Sequence, residues 1–389
     1  REAGDFTVNQ YLSPIAANLP PSGIRKFFDL VSTMKNVISL GVGEPDFVTP
    51  WTVRESGIFS LEQGQTMYTS NSGLLELRQA LSWNMEKKLG LEYNPNDEIL
   101  ITVGASEAVD LAMRALLGPG DALLLTDPAY VSYGPCATLA GAEVHYVPTR
   151  EEEDFRVRVE DLERVYTPNA KVLVLSYPNN PTGAIMTWED YQPIAKFVQD
   201  HDLIVVADEI YSDLSYGGSH TAFASLPNMR NRTLHISGFS KSYAMTGWRI
   251  GYVAGHHDFI QAMTRIHQYT MLCAPITAQL AALEAVRSAE QAMQDMVATY
   301  DRRRRLMVHG FRKMGLSCFE PLGAFYTFPS IKATGLTSEE FANELLQEEK
   351  VAVVPGTAFG PSGEGHIRCS YAYSTEQIQE ALTRMERFV

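Results

Sequence analysis

Cysteine is scarce in this chain of 389 residues: Cys136, Cys273, Cys318 and Cys369 lie far apart and form no CxxC or Cys/His ligand spacing. A disulfide framework and a zinc site are therefore not expected, and a reducing, cytoplasmic setting is the default. Positive charge is also short. Against 46 Asp and Glu stand 32 Lys and Arg, a formal net charge of -14 that disfavours nucleic acid or an anionic membrane as a partner. Any anionic ligand must then be held by local cations. No apolar run approaches the length of a membrane span, and the start is polar rather than signal-like. Internal repeats and low-complexity segments are missing too. The first residue is Arg1 rather than Met, which leaves a removed leader open.

The length suits two domains, or one large α/β domain with an appendage. Residues 1 to 40 read as an arm broken by Pro14, Pro20 and Pro21, with a short amphipathic helix over Ile24 to Met34 and a strand over Val37 to Leu40. Gly41 and Gly43 match half of a dinucleotide fingerprint, but Asp46 stands in place of the third glycine and no helix pattern follows, which excludes NAD. The glycine pair instead lets backbone approach a ligand. Leu74 to Leu89 has helical apolar spacing. β-Branched and apolar runs then mark strands at Ile99 to Val103, Ala122 to Leu125, Val144 to Val147, Lys171 to Leu175, Ile204 to Ala207 and Thr233 to Ile236. Strands alternating with helices imply a mostly parallel sheet covered on both faces, with ligands beyond the strands' carboxyl ends.

Those ends carry polar residues. Ala105 and Ser106 sit between a strand and a helix over Glu107 to Leu117, where free N–H groups and the helix dipole favour a phosphate. Tyr130 follows the next strand, Asn180 lies in the turn SYPNNPTG, and Asp208 and Tyr211 lie in DEIY. Lys241 and Arg249 fall within SGFSKSYAMTGWRIGY, where a small-residue turn ends a strand and Ile250 to Ala254 begins another. A lysine that attacks a carbonyl must lose its proton, which desolvation and a nearby cation assist. Arginine clamps phosphate with two hydrogen bonds while staying charged. Together they describe a site for pyridoxal phosphate, although this stretch alone equally fits a surface Lys and Arg flanking a core strand.

Beyond Ala285 the pattern changes to a smaller α+β region. A long helix carries the basic run Arg302 to Arg305, which reads as a solvated face, as the acidic segment Glu151 to Asp154 reads as a solvated loop. Ala324 to Phe328, Val351 to Val354 and His366 to Ser370 read as strands. Thr337 with Glu340, and Ser374 with Gln377, mark capping boxes.

With the lysine turn, NNPTG, DEIY and HIRCSYAYS together in view, the chain resembles the class I and II aminotransferases, pyridoxal-phosphate enzymes of fold type I, over nearly its full length. It is most similar to the branch of aromatic and acetyl-diaminopimelate aminotransferases. The resemblance implies an α/β fold with a mostly parallel sheet in a large domain (46–285) and a smaller α+β domain (1–45 and 286–389). It makes Lys241 the lysine that bonds the cofactor and later shuttles a proton, and Asp208 the partner of the pyridine nitrogen. Tyr211 and Asn180 match residues that hydrogen-bond the ring's phenolic oxygen, and Tyr130 an aromatic against the ring face. Ala105, Ser106, Ser240 and Arg249 match the phosphate cup. Gly238 occupies a commoner serine position there, for which Ser237 is a substitute. Tyr68 matches a tyrosine that reaches the neighbouring subunit's phosphate, which implies a homodimer. Arg368 matches the arginine that grips the substrate α-carboxylate, helped by Asn180 and the Gly43 backbone.

The implied reaction moves an amino group from an amino acid to a 2-oxo acid such as 2-oxoglutarate. Aspartate-specific relatives bring an arginine from the other subunit to a side-chain carboxylate, and Tyr269 stands there in this chain, which eases uncharged aromatic or aliphatic side chains. Aspartate and N-acetyl-diaminopimelate stay open as substrates, as does carbon–sulfur β-elimination on the same cofactor. Taken singly, Asp208 also fits a strand-end cap, Tyr130 and Tyr211 half-buried aromatics, and Arg368 an ordinary ion-pair partner.

Overall fold

Seven strands form the central sheet of the computed structural model, which describes residues 8–389; residues 1–7 of the expected arm, and the side chains of residues 26 and 30, lie outside the described residues. The arm contains helices α1 (Pro14–Asn18) and α2 (Gly23–Ser32) and a short strand β1 (Ile38–Ser39). The sheet is built from β2 (Ile99–Thr102), β3 (Ala122–Asp127), β4 (Glu143–Pro148), β5 (Ala170–Ser176), β6 (Ile204–Asp208), β7 (Thr233–Gly238) and β8 (Gly251–Ala254), in the order β2-β8-β7-β6-β5-β3-β4. Strands β3 to β7 pair in parallel, as expected, and β8 runs antiparallel to both of its neighbours. Apolar runs carry no sign of direction, so the sequence could not distinguish the reversed strand.

Both faces of the sheet are covered by helices α3 (Trp51–Glu62), α4 (Leu75–Leu89), α5 (Gly104–Leu116), α6 (Tyr133–Leu139), α7 (Val159–Val165), α8 (Trp188–Asp200), α9 (His257–Thr270) and α10 (Ile276–Ser288). The alternation of side chains along β5 shows how. Val172 and Val174 pack with Val109 of α5 and Met263 of α9, whereas Leu173 and Leu175 pack with Ile194 and Val198 of α8 on the opposite face. Burial on two sides is why these strands read as continuous apolar runs. Each such side chain contributes roughly 1.5–3 kcal/mol relative to exposure.

The carboxyl-terminal region adds α11 (Glu290–Lys313), β9 (Tyr326–Thr327), α12 (Ser338–Glu349), β10 (Val351–Ala352), β11 (Val354–Pro355), β12 (Ile367–Ser370) and α13 (Thr375–Phe388). Strands β11, β12 and β9 form an antiparallel sheet, and β10 pairs in parallel with β1 of the arm. Both expected capping boxes are present. No helix among the described residues is long and apolar enough to cross a membrane.

Four expectations change. The run Val351 to Val354 is two strands, each serving a different sheet. Helix α5 starts at Gly104 rather than Glu107, because Gly104 takes a positive φ that turns the chain directly from strand to helix. In the acidic segment, Glu151 is not simply solvated: it accepts a hydrogen bond from Ser317 Oγ at 2.8 Å and lies 3.4 Å from His366 Nε2.

The basic run departs furthest. Arg303 and Arg304 are buried, on the same helical face as Tyr300, Met307, Val308 and Phe311. Arg303 donates two 2.8 Å hydrogen bonds to the two oxygens of Asp46, and Arg304 donates to Asp301 and to the Pro321 carbonyl. Charge sits inward because acceptors meet it there, for Arg303 both oxygens of a carboxylate from a distant segment. Arg303→Ala would leave the Asp46 carboxylate without its partner; we expect a loss of about 2 kcal/mol in a urea unfolding titration, whereas the exposed Arg302→Ala should change little.

Candidate active site

The carboxyl ends of β5, β6 and β7 open onto a cavity of about 820 Å³. Every residue expected at the site lines this cavity except Tyr68. Lys241 reaches it three residues past β7, where its Nζ donates to the Gly43 carbonyl at 2.6 Å. Burial, with Arg368 and Arg249 nearby, brings its pKa down to about 8, against a smaller opposing pull from Glu44.

Asp208 ends β6. Burial raises its pKa, while the Tyr133 hydroxyl, donating to Oδ2 at 2.6 Å, and the Ile210 N–H, donating to Oδ1 at 3.2 Å, favour the anion. Alternation sends the next residue, Glu209, behind the sheet. Burial opposes its ionisation, but His220 and His235, at 3.1 and 3.0 Å, outweigh that and hold the carboxyl at about 2. Tyr211, three residues after Asp208, shares a 2.7 Å hydrogen bond with the Tyr326 hydroxyl. Tyr130, just beyond β3, stands edge-on to Tyr133 with ring centroids 5.8 Å apart.

Arg368 enters from β12. It donates from Nη1 to Asn180 Oδ1 at 2.8 Å and from Nη2 to the Gly41 carbonyl at 2.6 Å. Its guanidinium lies 4.4 Å from the Tyr326 ring centroid and 4.7 Å from that of Phe359. Its buried Nε has no protein partner, and the Asn180 Nδ2 stays available as a donor.

At the other end of the cavity, the first turn of α5 has no side-chain cap, which suits an anion on the N–H groups of Ala105 and Ser106. Arg249 holds a left-handed conformation (φ 52°), and its Nη1 donates to the Thr246 carbonyl at 3.0 Å. A Cβ on Gly104 would come within 2.5 Å of the Arg249 guanidinium, and one on Gly251 within 2.5 Å of the Ala105 nitrogen. Ser240 lines the same cavity. Ser237 does not substitute for a missing serine: it donates to the Glu209 carbonyl at 3.4 Å and faces a separate cavity of about 250 Å³ behind the sheet. Strand alternation turns it away.

Tyr68 is 81% exposed and Tyr269 is 86% exposed, both outside the cavity. Sequence reasoning missed Tyr133, Tyr326 and the Gly41 carbonyl. Only Tyr133 left a signal, following Tyr130 by three residues at a helix start.

These groups fit pyridoxal phosphate feature by feature. The uncapped turn with Arg249 would suit a dianionic phosphate, and the buried Asp208 carboxylate would suit a protonated ring nitrogen. Lys241, a weakly basic amine, would be the group to bond the cofactor's aldehyde. A family model described as Aminotransferase class I and II matches residues 35–385. The chain is 51% identical to the Bacillus subtilis (strain 168) protein YugH, over 98% of this chain and 99% of that one. It is 45% identical to an aspartate aminotransferase of Pyrococcus abyssi (strain GE5 / Orsay), over 94% of this chain and 95% of that one. A solved aromatic aminotransferase from Pyrococcus horikoshii OT3 shares the fold with a TM-score of 0.90 at 44% identity, covering 94% of this chain and 98% of that one.

Only a neutral amine attacks an aldehyde. The rate at which cofactor-free protein takes up pyridoxal phosphate, followed by absorbance after rapid mixing, should therefore rise with pH and level off above about 8. A lysine of ordinary basicity would keep accelerating to about pH 10.

Proposed function

The chain belongs to the class I and II aminotransferases, and from that premise we propose a homodimeric enzyme that moves the amino group of an aromatic, or broad-range, amino acid to a 2-oxo acid such as 2-oxoglutarate. The two half-reactions alternate in ping-pong order. Pyridoxal phosphate is the cofactor of this family, and it supplies an electron sink for charge developing at the substrate Cα. The observation that carries the reading is that Lys241, Asp208, Arg249 and Arg368 open onto one cavity.

Lys241 contributes the amine that bonds the cofactor and afterwards takes and returns the Cα proton. Asp208, steadied by Tyr133, accepts the ring-nitrogen N–H. Tyr211 and the Asn180 amide donate to the phenolic oxygen, and Tyr130 covers a ring face. Ala105, Ser106, Ser240 and Arg249 seat the phosphate. Arg368, fixed by Asn180 and the Gly41 carbonyl, grips the substrate α-carboxylate beside the Gly43 backbone. Holding Cα–H near Lys241 in this way accounts for much of the rate, as orientation does generally.

The dimer reading is supported by the exposure of several large apolar side chains close in sequence, Ile58, Phe59, Leu61, Met67 and Tyr68. Tyr68 would complete the partner's phosphate seat. We assign residues 46–285 to a large cofactor-binding domain and residues 1–45 and 286–389 to a small one, in a cytoplasmic protein. Aspartate or N-acetyl-diaminopimelate transfer is the second reading, supported by the aspartate aminotransferase of P. abyssi; β-elimination is the third.

A panel of amino donors with 2-oxoglutarate, read by the absorbance of the bound cofactor, tests the proposal. Aromatic donors should lead, and release of pyruvate and ammonia from a cysteine conjugate without any acceptor would instead support β-elimination. Lys241→Ala should abolish the exchange. Arg368→Lys, which replaces a planar fork by a point charge, should lower kcat/KM by about 100-fold.

A further inference from the structure

Among the described residues, four cations line the active-site cavity: Lys241, Arg249, Arg368 and Arg25. The function proposed above employs three of them, at the cofactor aldehyde, the phosphate and the substrate α-carboxylate. Arg25 has no task there. It is exposed at the cavity mouth and makes no ion pair with any described residue.

Arg25 belongs to α2, and its position is not incidental. Ile24, Arg25, Phe28 and Asp29 all line the cavity, the spacing of one helical face. The helix is fastened by Phe27, which is buried, and by Phe28, whose ring lies against Gly41. Because the Gly41 carbonyl accepts from Arg368, α2 holds Arg25 toward the Arg368 end of the cavity, on a long stem that can swing its planar fork inward. The acids facing the cavity are Asp29, Glu44 and Asp208. Asp208 is engaged by Tyr133 and Ile210, and Glu44 accepts a hydrogen bond from Thr246. Asp29, one turn along the helix, does not pair with Arg25, which leaves the guanidinium available to a ligand.

A dicarboxylic substrate brings a second carboxylate that Arg368 cannot serve while it grips the first. We propose that Arg25 is the specificity-determining residue for dicarboxylic amino acids and 2-oxo acids, taking their distal carboxylate at the mouth. For an aromatic substrate Arg25 turns to solvent, and Ile24 and Phe28 meet the side chain. This inference rests on the aminotransferase reading and names the second substrate class of the same site.

The test uses holoenzyme carrying Arg25→Gln, Arg25→Lys or Asp29→Asn. In Arg25→Gln the ratio of kcat/KM for aspartate to that for phenylalanine should fall about 10- to 100-fold, the range of a hydrogen-bonded charge pair. The dissociation constant of succinate, an unreactive dicarboxylate, should rise by a similar factor in calorimetry. Arg25→Lys should restore part of both effects, and Asp29→Asn, which removes a competing anion, should tighten succinate. Equal losses for both donors, or unaltered succinate binding, would overturn the proposal. If the unmodified holoenzyme exchanges amino groups with neither donor, the aminotransferase reading fails, while succinate binding still decides the part of Arg25.

Discussion

Neighbouring parallel strands that stop at one level force the polar turns of this chain into a single place. Ser176 is level with Asp208, and Asp208 with Ile236, across three adjacent strands. Asn180, Asp208, Tyr211 and Lys241 follow those ends, so residues far apart in sequence share one cavity. The apolar packing on both faces keeps the strands in register, and the register sets the geometry of the site. The same alternation separates Asp208, in front of the sheet, from Glu209, whose charge is answered behind it by two histidines.

Charge is distributed unevenly about this frame. The whole chain is acidic, yet its cavity concentrates cations, and burial together with their mutual proximity makes the Lys241 amine less basic than an ordinary lysine. Arg368 cannot relieve the crowding by moving. Two oxygen acceptors and two aromatic rings hold its guanidinium. A fixed cation in a partly dehydrated cavity needs no reorganisation when an anion arrives, and preorganisation of that kind stabilises a bound anion more than a solvated cation does.

Much of this was legible in the sequence, because strand ends, glycine turns and helix starts are local features. The lysine turn, DEIY and NNPTG identified the sheet's carboxyl edge before any coordinates. What stayed hidden depends on long-range contact. Tyr326 meets Tyr211 across 115 positions, and Arg303 meets Asp46 across 257. No window of sequence shows that two of four consecutive arginines turn inward. The choice between Ser237 and Ser240 depends on the path of a turn, and Tyr68 lies on a surface whose meaning needs a second chain. The direction of β8 was unreadable for a simpler reason: reversing a strand leaves its apolar pattern unchanged.

The anion seat is bounded by atoms that are missing. Gly104 leaves room for the Arg249 guanidinium, and Gly251 leaves room for the Ala105 backbone. Even a methyl group would crowd either gap, so the seat leaves little room for adjustment. Room for change lies instead in the side chains at the cavity's rim, where a substitution alters what is admitted without disturbing what is anchored. Such a division between a confined seat and a permissive entrance makes a scaffold evolvable.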